Sequence, residues 1–268
     1  MNPVLTNTRI RSIQEVEIQA TIDKMESIQR RPKNPMGISI QSFRKATGLA
    51  AKNMPGPAFN TVKGFTDDDL PFLSEIIAYY KSLTIPLRFE LCPGNVSFET
   101  FDELTRLGLK QTNIHTTMYL PGLSLQNGRS DDEAVTAKKI SNEEMDVFTS
   151  LYTECFHMPS FLAPGLADNN RSLDSTRWAF YIASYQGAPA GVAILYMQGN
   201  QAYLSAAGVL PAYRQKGIHS FLLRERLSMA LHIGCTTITS QAAYGSSSMR
   251  NMQRAGMQIA YNQLIWEK

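Results

Sequence analysis

The stretch "VLPAYRQKGIHSFLL", Val209 to Leu223, constrains this chain more than any other. It joins an apolar strand pattern, ended by Pro211, to an apolar helical pattern that begins after Gly217. Arg214 and Lys216 sit in the short joint. Successive backbone N–H groups at a helix N-terminus, with the positive end of its dipole, form an anion cradle. Two cations beside such a cradle strengthen it for phosphates. The fold must therefore bring a strand end directly against a helix N-terminus.

The rest of the chain supplies elements of matching size. Ile13, Val16, Ile18, Ile22, Met25 and Ile28 predict a helix over Ile10–Arg30, ended by Pro32 and Pro35. Short strands are expected at Ile38–Phe43 and Ala58–Val62. A capped helix follows in "TDDDLPFLSEIIAYYKSL", a strand in "IPLRFEL", a helix closed by Gly108 in "SFETFDELTRL", and a strand in "KQTNIHTTMYL". "PGLSLQNGRSDDE", Pro121 to Glu133, is turn-rich and charged, the best linker candidate. Beyond it come a strand at Ala134–Lys139 and a capping box, Ser141 to Glu144, starting a helix to about Phe156. Three strands joined by the turns "QGAP" and "QGN" lead to the joint. After it come a helix, a strand (Thr236–Ala242), a helix (Ser247–Ala255) and a closing strand. This order predicts an α/β (α+β) protein with domains at 1–122 and 134–268 and a linker at 123–133.

The halves also align with each other. A shift of 148 residues, the distance from Gly108 to Gly256, lays "LTRLGL" on "MQRAGM" and the helix from Asp68 to Ser82 on Lys216 to Ala230. The same shift lays "TDDD", Thr66 to Asp69, on the Arg214–Gly217 joint, and Asn60 on Gly208. Three aspartates repel a phosphate, so only the second half is expected to hold one.

At 268 residues and 43% hydrophobic, the chain can build two cores. A net charge of +3 with 18% charged residues disfavours a general nucleic-acid coat. Cys92, Cys155 and Cys235 form no CxxC pair, as expected for reduced thiols of a cytoplasm. His115, His157, His219 and His232 lack metal-ligand spacing, and no metal is expected. With no signal-like start and no run of about 18 apolar residues, a cytoplasmic protein without a membrane partner is expected.

Val209, Pro211, Arg214 and Gly217 match the V-x-P-x-x-R-x-x-G-x-G/A cofactor loop of the GNAT acyltransferase superfamily, which the segment resembles; His219 replaces the final small residue. The resemblance spans about Ala134 to Lys268. Through the internal alignment it extends to the first half as a degenerate GNAT-like domain. It implies two tandem GNAT-like domains, each a mixed, mostly antiparallel sheet flanked by helices. It also implies transfer of acetyl from acetyl-CoA, or of another acyl group from its acyl-CoA, to a primary amine of a small molecule or protein. The amine would attack directly in a ternary complex. In this reading the backbone of Val209 holds the pantetheine arm. Arg214 and the backbone through Gln215, Lys216, Gly217, Ile218, His219 and Ser220 grip the pyrophosphate, and Asn251 touches the cofactor arm.

Two departures matter. Many relatives carry a glutamate where this chain has Ser205, and a tyrosine acid where it has Met252. Tyr244, Glu154 and His157 are the replacement candidates, and Cys155 is read as packing. A non-catalytic acyl-CoA-binding or regulatory module and an aminoacyl- or peptidyl-type transferase are the alternatives. The first half is expected to lack nucleotide and to help wall the acceptor pocket.

Overall fold

A computed structural model describes residues 5–54, 56–122 and 133–268. The expected linker, 123–133, lies outside the described residues except for Glu133. The chain divides into two compact units. One holds the described residues up to Thr117 together with Ala242–Tyr244 and Ile259–Lys268. The other holds Met118–Gln241 and Gly245–Gln258.

The N-terminal unit opens with α1 (Asn7–Gln29), whose N-terminus is capped by Thr6, its hydroxyl accepting from the Arg9 N–H at 3.3 Å. Ile13, Val16, Ala20 and Ile28 form its buried stripe. β1 (Ile38–Phe43) falls where expected and pairs antiparallel with β2 (Ala46–Ala51). β2 was not expected, because its alanines and glycine carry little strand propensity; burial decides its conformation. The strand expected at Ala58–Val62 is instead a turn at Pro57–Phe59 followed by β3 (Thr61–Lys63). Then come α2 (Leu73–Leu83), β4 (Arg88–Leu91), α3 (Phe98–Arg106) and β5 (Lys110–Tyr119). Their apolar faces enclose a core around Phe65, Phe89, Leu91 and Leu104.

In the C-terminal unit β6 (Val135–Lys139) precedes the Ser141–Glu144 capping box, which opens on a turn before α4 (Met145–Cys155). α5 (Ala163–Arg171), masked in the sequence by Pro164 and Gly165, follows. β7 (Trp178–Tyr185) and β8 (Ala188–Gln198) meet at Gln186 and Gly187, both left-handed at φ 49° and 81°, as a tight hairpin demands. β9 (Gln201–Val209), α6 (Ile218–His232), β10 (Thr237–Ala243) and α7 (Ser247–Arg254) complete the unit. The strands lie in the order β10-β9-β8-β7-β6, antiparallel except for β9 with β10.

The closing strand, β11 (Gln258–Glu267), falls from Ile259 onward in the N-terminal unit, whereas the sequence reading grouped 134–268 together. It pairs antiparallel with β4, Leu264 opposite Leu91 and Trp266 opposite Phe89, and the N-terminal order is β1-β2-β3-β4-β11-β5. The reason is apolar fit: Trp266 stacks on Phe101 at 5.6 Å and joins that core. A buried charge chain adds to it. The Lys63 ammonium meets Glu17 at 2.8 Å and also Glu90, and Arg88 links Glu90 (3.3 Å) to Glu267 on β11 (2.5 Å). Burial alone would lower the Lys63 pKa, but the two carboxylates hold it above its ordinary value.

The 148-residue shift survives in the elements. It carries β5 onto β11 end for end, α3 onto residues 246–254, where α7 lies, and α2 into α6.

Candidate active site

The site in the C-terminal unit begins with a fork in the sheet. β8 follows β9 to its end, Gly191 opposite Val209, whereas β10 follows it only from Gln201 to Leu204. The Leu210 N–H donates to the Ala190 carbonyl at 2.9 Å, which fixes the phase of the β8–β9 ladder. Alternate residues of an antiparallel strand turn their backbone groups to opposite sides. Gly208 therefore faces β8, and the backbone groups of Ala207 and Val209 face the open edge.

A register shift beside Ala193 and Leu195 bulges β9 near Ser205 and Ala206. The gap is filled from α6. Arg226, 2% exposed, donates from one Nη to the Ile194 carbonyl (3.0 Å) and the Ala206 carbonyl (3.1 Å). Its Nε donates to the Leu222 carbonyl at 3.1 Å. Burial lowers its pKa to about 10, which leaves it charged at neutral pH.

Past the fork, Pro211–Tyr213 form one turn, Gln215 and Gly217 adopt left-handed φ of 66° and 73°, and α6 starts. The first helical bond runs from the Phe221 N–H to the Gly217 carbonyl, 2.9 Å. The N–H groups of Ile218, His219 and Ser220 precede it and have no intrahelical acceptor. A cavity of about 640 Å³ joins these groups to Ala207–Val209, Ser248 and Asn251, with Cys155 and Phe156 on its wall. Gly208 permits that wall: a Cβ there would stand 2.7 Å from the Cys155 Cβ.

Not every expected side chain points at the cradle. Arg214 lines the cavity, but its guanidinium lies against the Val209 carbonyl (3.4 Å) and the His157 Nε2 (3.3 Å). Lys216 lies over the Tyr185 ring, 4.3 Å from its centre. His219 lies between Asn251, whose amide is 3.2 Å from Nδ1, and Ser248, whose hydroxyl is 3.3 Å from Nε2. Burial first, then the Arg226 charge, lowers its pKa to about 4, so the ring is neutral at pH 7. With the Asn251 amide donating to Nδ1, Nε2 carries the proton and donates to Ser248.

The three catalytic candidates are not gathered together. His157, left-handed at φ 54°, reaches Arg214. Glu154 borders a separate cavity of about 470 Å³ with Ser150, Thr153 and Met158. Tyr244 is 65% exposed and does not line the cavity at the start of α6. Burial, then the Glu154 charge, pushes the Cys155 thiol up to about 11. Arg226 and the Gly208 contact escaped the sequence reading. The signal for the arginine was a charge four residues from Leu222 and Ala230 on the apolar stripe of α6.

In the N-terminal unit the "TDDD" carboxylates are spent on the protein's own donors. Asp69 accepts from the N–H groups of Thr66 (2.9 Å), Lys45 (2.9 Å) and Ala46 (3.2 Å). Asp67 accepts from the Ser97 N–H at 2.8 Å and the Thr100 hydroxyl at 2.7 Å, and Asp68 pairs with Lys45. Among the described residues no cluster of three or more His, Cys, Asp or Glu could hold a metal, and no helix is long and apolar enough to cross a membrane.

Residues 142–257 match the family model described as the acetyltransferase (GNAT) family. No curated protein matches the chain. Among solved structures, a GCN5-related N-acetyltransferase from Kribbella flavida is 12% identical with a TM-score of 0.64, covering 93% of this chain and 94% of its own. A tandem GNAT protein from the clavulanic acid biosynthesis pathway is 12% identical with a TM-score of 0.62, covering 99% of this chain and 96% of its own. A GCN5-related N-acetyltransferase from Sphaerobacter thermophilus, 12% identical with a TM-score of 0.61, covers 100% and 94%. At such identity the likeness establishes fold. Residues 142–257 thus resemble the acetyltransferase (GNAT) family, within a chain whose fold is similar throughout to that of a tandem GNAT protein.

Proposed function

We propose that the C-terminal unit binds acetyl-CoA and transfers its acetyl group to a primary amine. The observation that carries this reading is the single cavity joining the open edge of β9 to the free N–H groups of Ile218–Ser220. The pyrophosphate would accept from those N–H groups, and the pantetheine amides would pair with the Ala207 carbonyl and the Val209 N–H in place of the missing strand. Asn251 and Ser248 border the path between them.

Direct transfer fits the groups present. The amine nitrogen bonds to the thioester carbon, the carbonyl pair moves to oxygen and returns, and the C–S bond breaks. The thiolate then takes a proton, and the amine gives one up. A thiol raised to about 11 is a poor nucleophile at neutral pH, which favours a ternary complex over acylation of Cys155. Ser205 and the buried Met252 offer no acid or base. With Tyr244 exposed, water is the proposed proton donor to the thiolate.

Calorimetry with acetyl-CoA, followed by thiol release across a library of amines, tests the proposal. Binding and amine-dependent release are expected. Failure to bind acetyl-CoA would overturn it, and binding without release from any small or peptide amine would favour a regulatory module.

A further inference from the structure

Arg226 is an expensive residue where it stands. The side chain is 2% exposed, and its hydrogen bonds all go to backbone carbonyls rather than to a carboxylate. An apolar side chain would fill the space under β9 without the cost of burying a charge. The guanidinium instead bonds two strand carbonyls beside the bulge, those of Ile194 and Ala206.

The Ala206 bond has a consequence across the strand. In a trans peptide the C=O and the following N–H point in opposite directions. The Ala206 carbonyl points between β8 and β9 to Arg226, so the Ala207 N–H points the other way, to the open edge. Ala207 lines the acyl cavity at the fork, beside the Val209 backbone. A hydrogen bond received at one end of a peptide strengthens donation at the other, by roughly 10–30% per bond and more from a charged donor.

We propose that Arg226 is a positioning residue that charges the Ala206–Ala207 peptide, making the Ala207 N–H the main donor to the acyl carbonyl oxygen of the bound thioester. This rests on the acyl-CoA reading above. As the amine attacks, the carbonyl pair moves to oxygen and the developing negative charge meets that N–H. When the pair returns, the C–S bond breaks and the thiolate departs to be protonated by water. Arg226 touches neither substrate. Its charge acts one peptide away and stays dry.

The test uses the full chain and carbonyl-labelled acetyl-CoA. Isotope-edited infrared spectroscopy should show the bound thioester carbonyl band at lower wavenumber than in buffer. In Arg226→Met roughly a third of that shift should be lost while calorimetric acetyl-CoA affinity is kept. Arg226→Lys, whose single ammonium cannot span both carbonyls as firmly, should keep an intermediate shift. A merely structural arginine would leave the band of bound acetyl-CoA where it is in the wild type. A second measurement needs no variant: by NMR, acetyl-CoA but not free CoA should move the Ala207 amide proton downfield. A band unmoved in Arg226→Met, or an Ala207 amide indifferent to the acetyl group, overturns the inference. If Arg226→Met fails to fold, Arg226→Lys and the amide proton decide. A wild-type protein that does not bind acetyl-CoA at all overturns the acyl-CoA reading itself.

Discussion

His219 stands where the family pattern has glycine or alanine, and its ring is held neutral by burial and by Arg226. Its folded pKa, about 4, lies below the 6.5 of a free histidine. Above pH 6.5 the ring is neutral folded or unfolded, so it contributes no pH dependence there. As pH falls from 6.5 toward 4, the unfolded chain binds a proton that the folded chain refuses, and stability is lost, by at most about 3 kcal/mol. The melting temperature of the wild type should therefore fall more steeply over that window than that of His219→Asn; equal slopes would show a ring that titrates freely. Gly217 makes a second test. A Cβ there meets nothing within 4 Å, but φ of 73° strains any other residue by about 1–2 kcal/mol. Gly217→Ala should lower stability with little effect on acetyl-CoA affinity. Gly217→Asp should weaken that affinity by about tenfold or more, because its charge faces the phosphates. Unchanged calorimetric affinity in Gly217→Asp would remove the phosphates from this joint. For Tyr244→Phe, turnover within about twofold of wild type is expected if water protonates the thiolate; a loss of about tenfold or more would assign that role to the phenol.

At the level of elements, β11 is the most consequential strand. Ending the chain at Met257 would leave β4 and β5 without their shared neighbour and remove Trp266 from the Phe101 stack. The expected outcome is loss of the N-terminal unit's cooperative unfolding transition, followed by tryptic cleavage sites opening first within residues 7–117. A truncated protein whose C-terminal unit is the first to open would contradict the pairing. The sequence showed a closing strand after Gly256 and hid its partner. Alternating apolar residues announce a strand, but Leu264, Ile265 and Trp266 suit either core, and only packing against Phe89 and Phe101 chooses. The joint was legible for the opposite reason. Its geometry depends on local backbone, on Gly217 and on a helix start, all of which are written within a few residues. Arg226 was illegible because its meaning lies in a bulge on a different strand. β2 and α5 were missed where small residues, or a proline and glycine, outweighed burial in the local signal.

At the scale of the whole molecule, the chain passes between its units at Thr117, Gln241, Tyr244 and Gln258. Neither half of the sequence is therefore a unit by itself. Residues 134–268 expressed alone should aggregate, since they carry an apolar strand without its neighbours. Co-expression with residues 1–122 should return soluble protein that copurifies, and a monomeric, cooperatively folding 134–268 fragment would refute this. The place of β11 also sets a clock. A ribosome completes residues 7–117 long before it makes Gln258–Glu267, and at about 5–20 residues per second the first unit waits through more than half of the chain's synthesis. Through that interval β4 has an open edge and Arg88 lacks Glu267. The part of the protein made first is the part finished last, and a nascent chain stalled before Gln258 should still be cut readily at its oldest end.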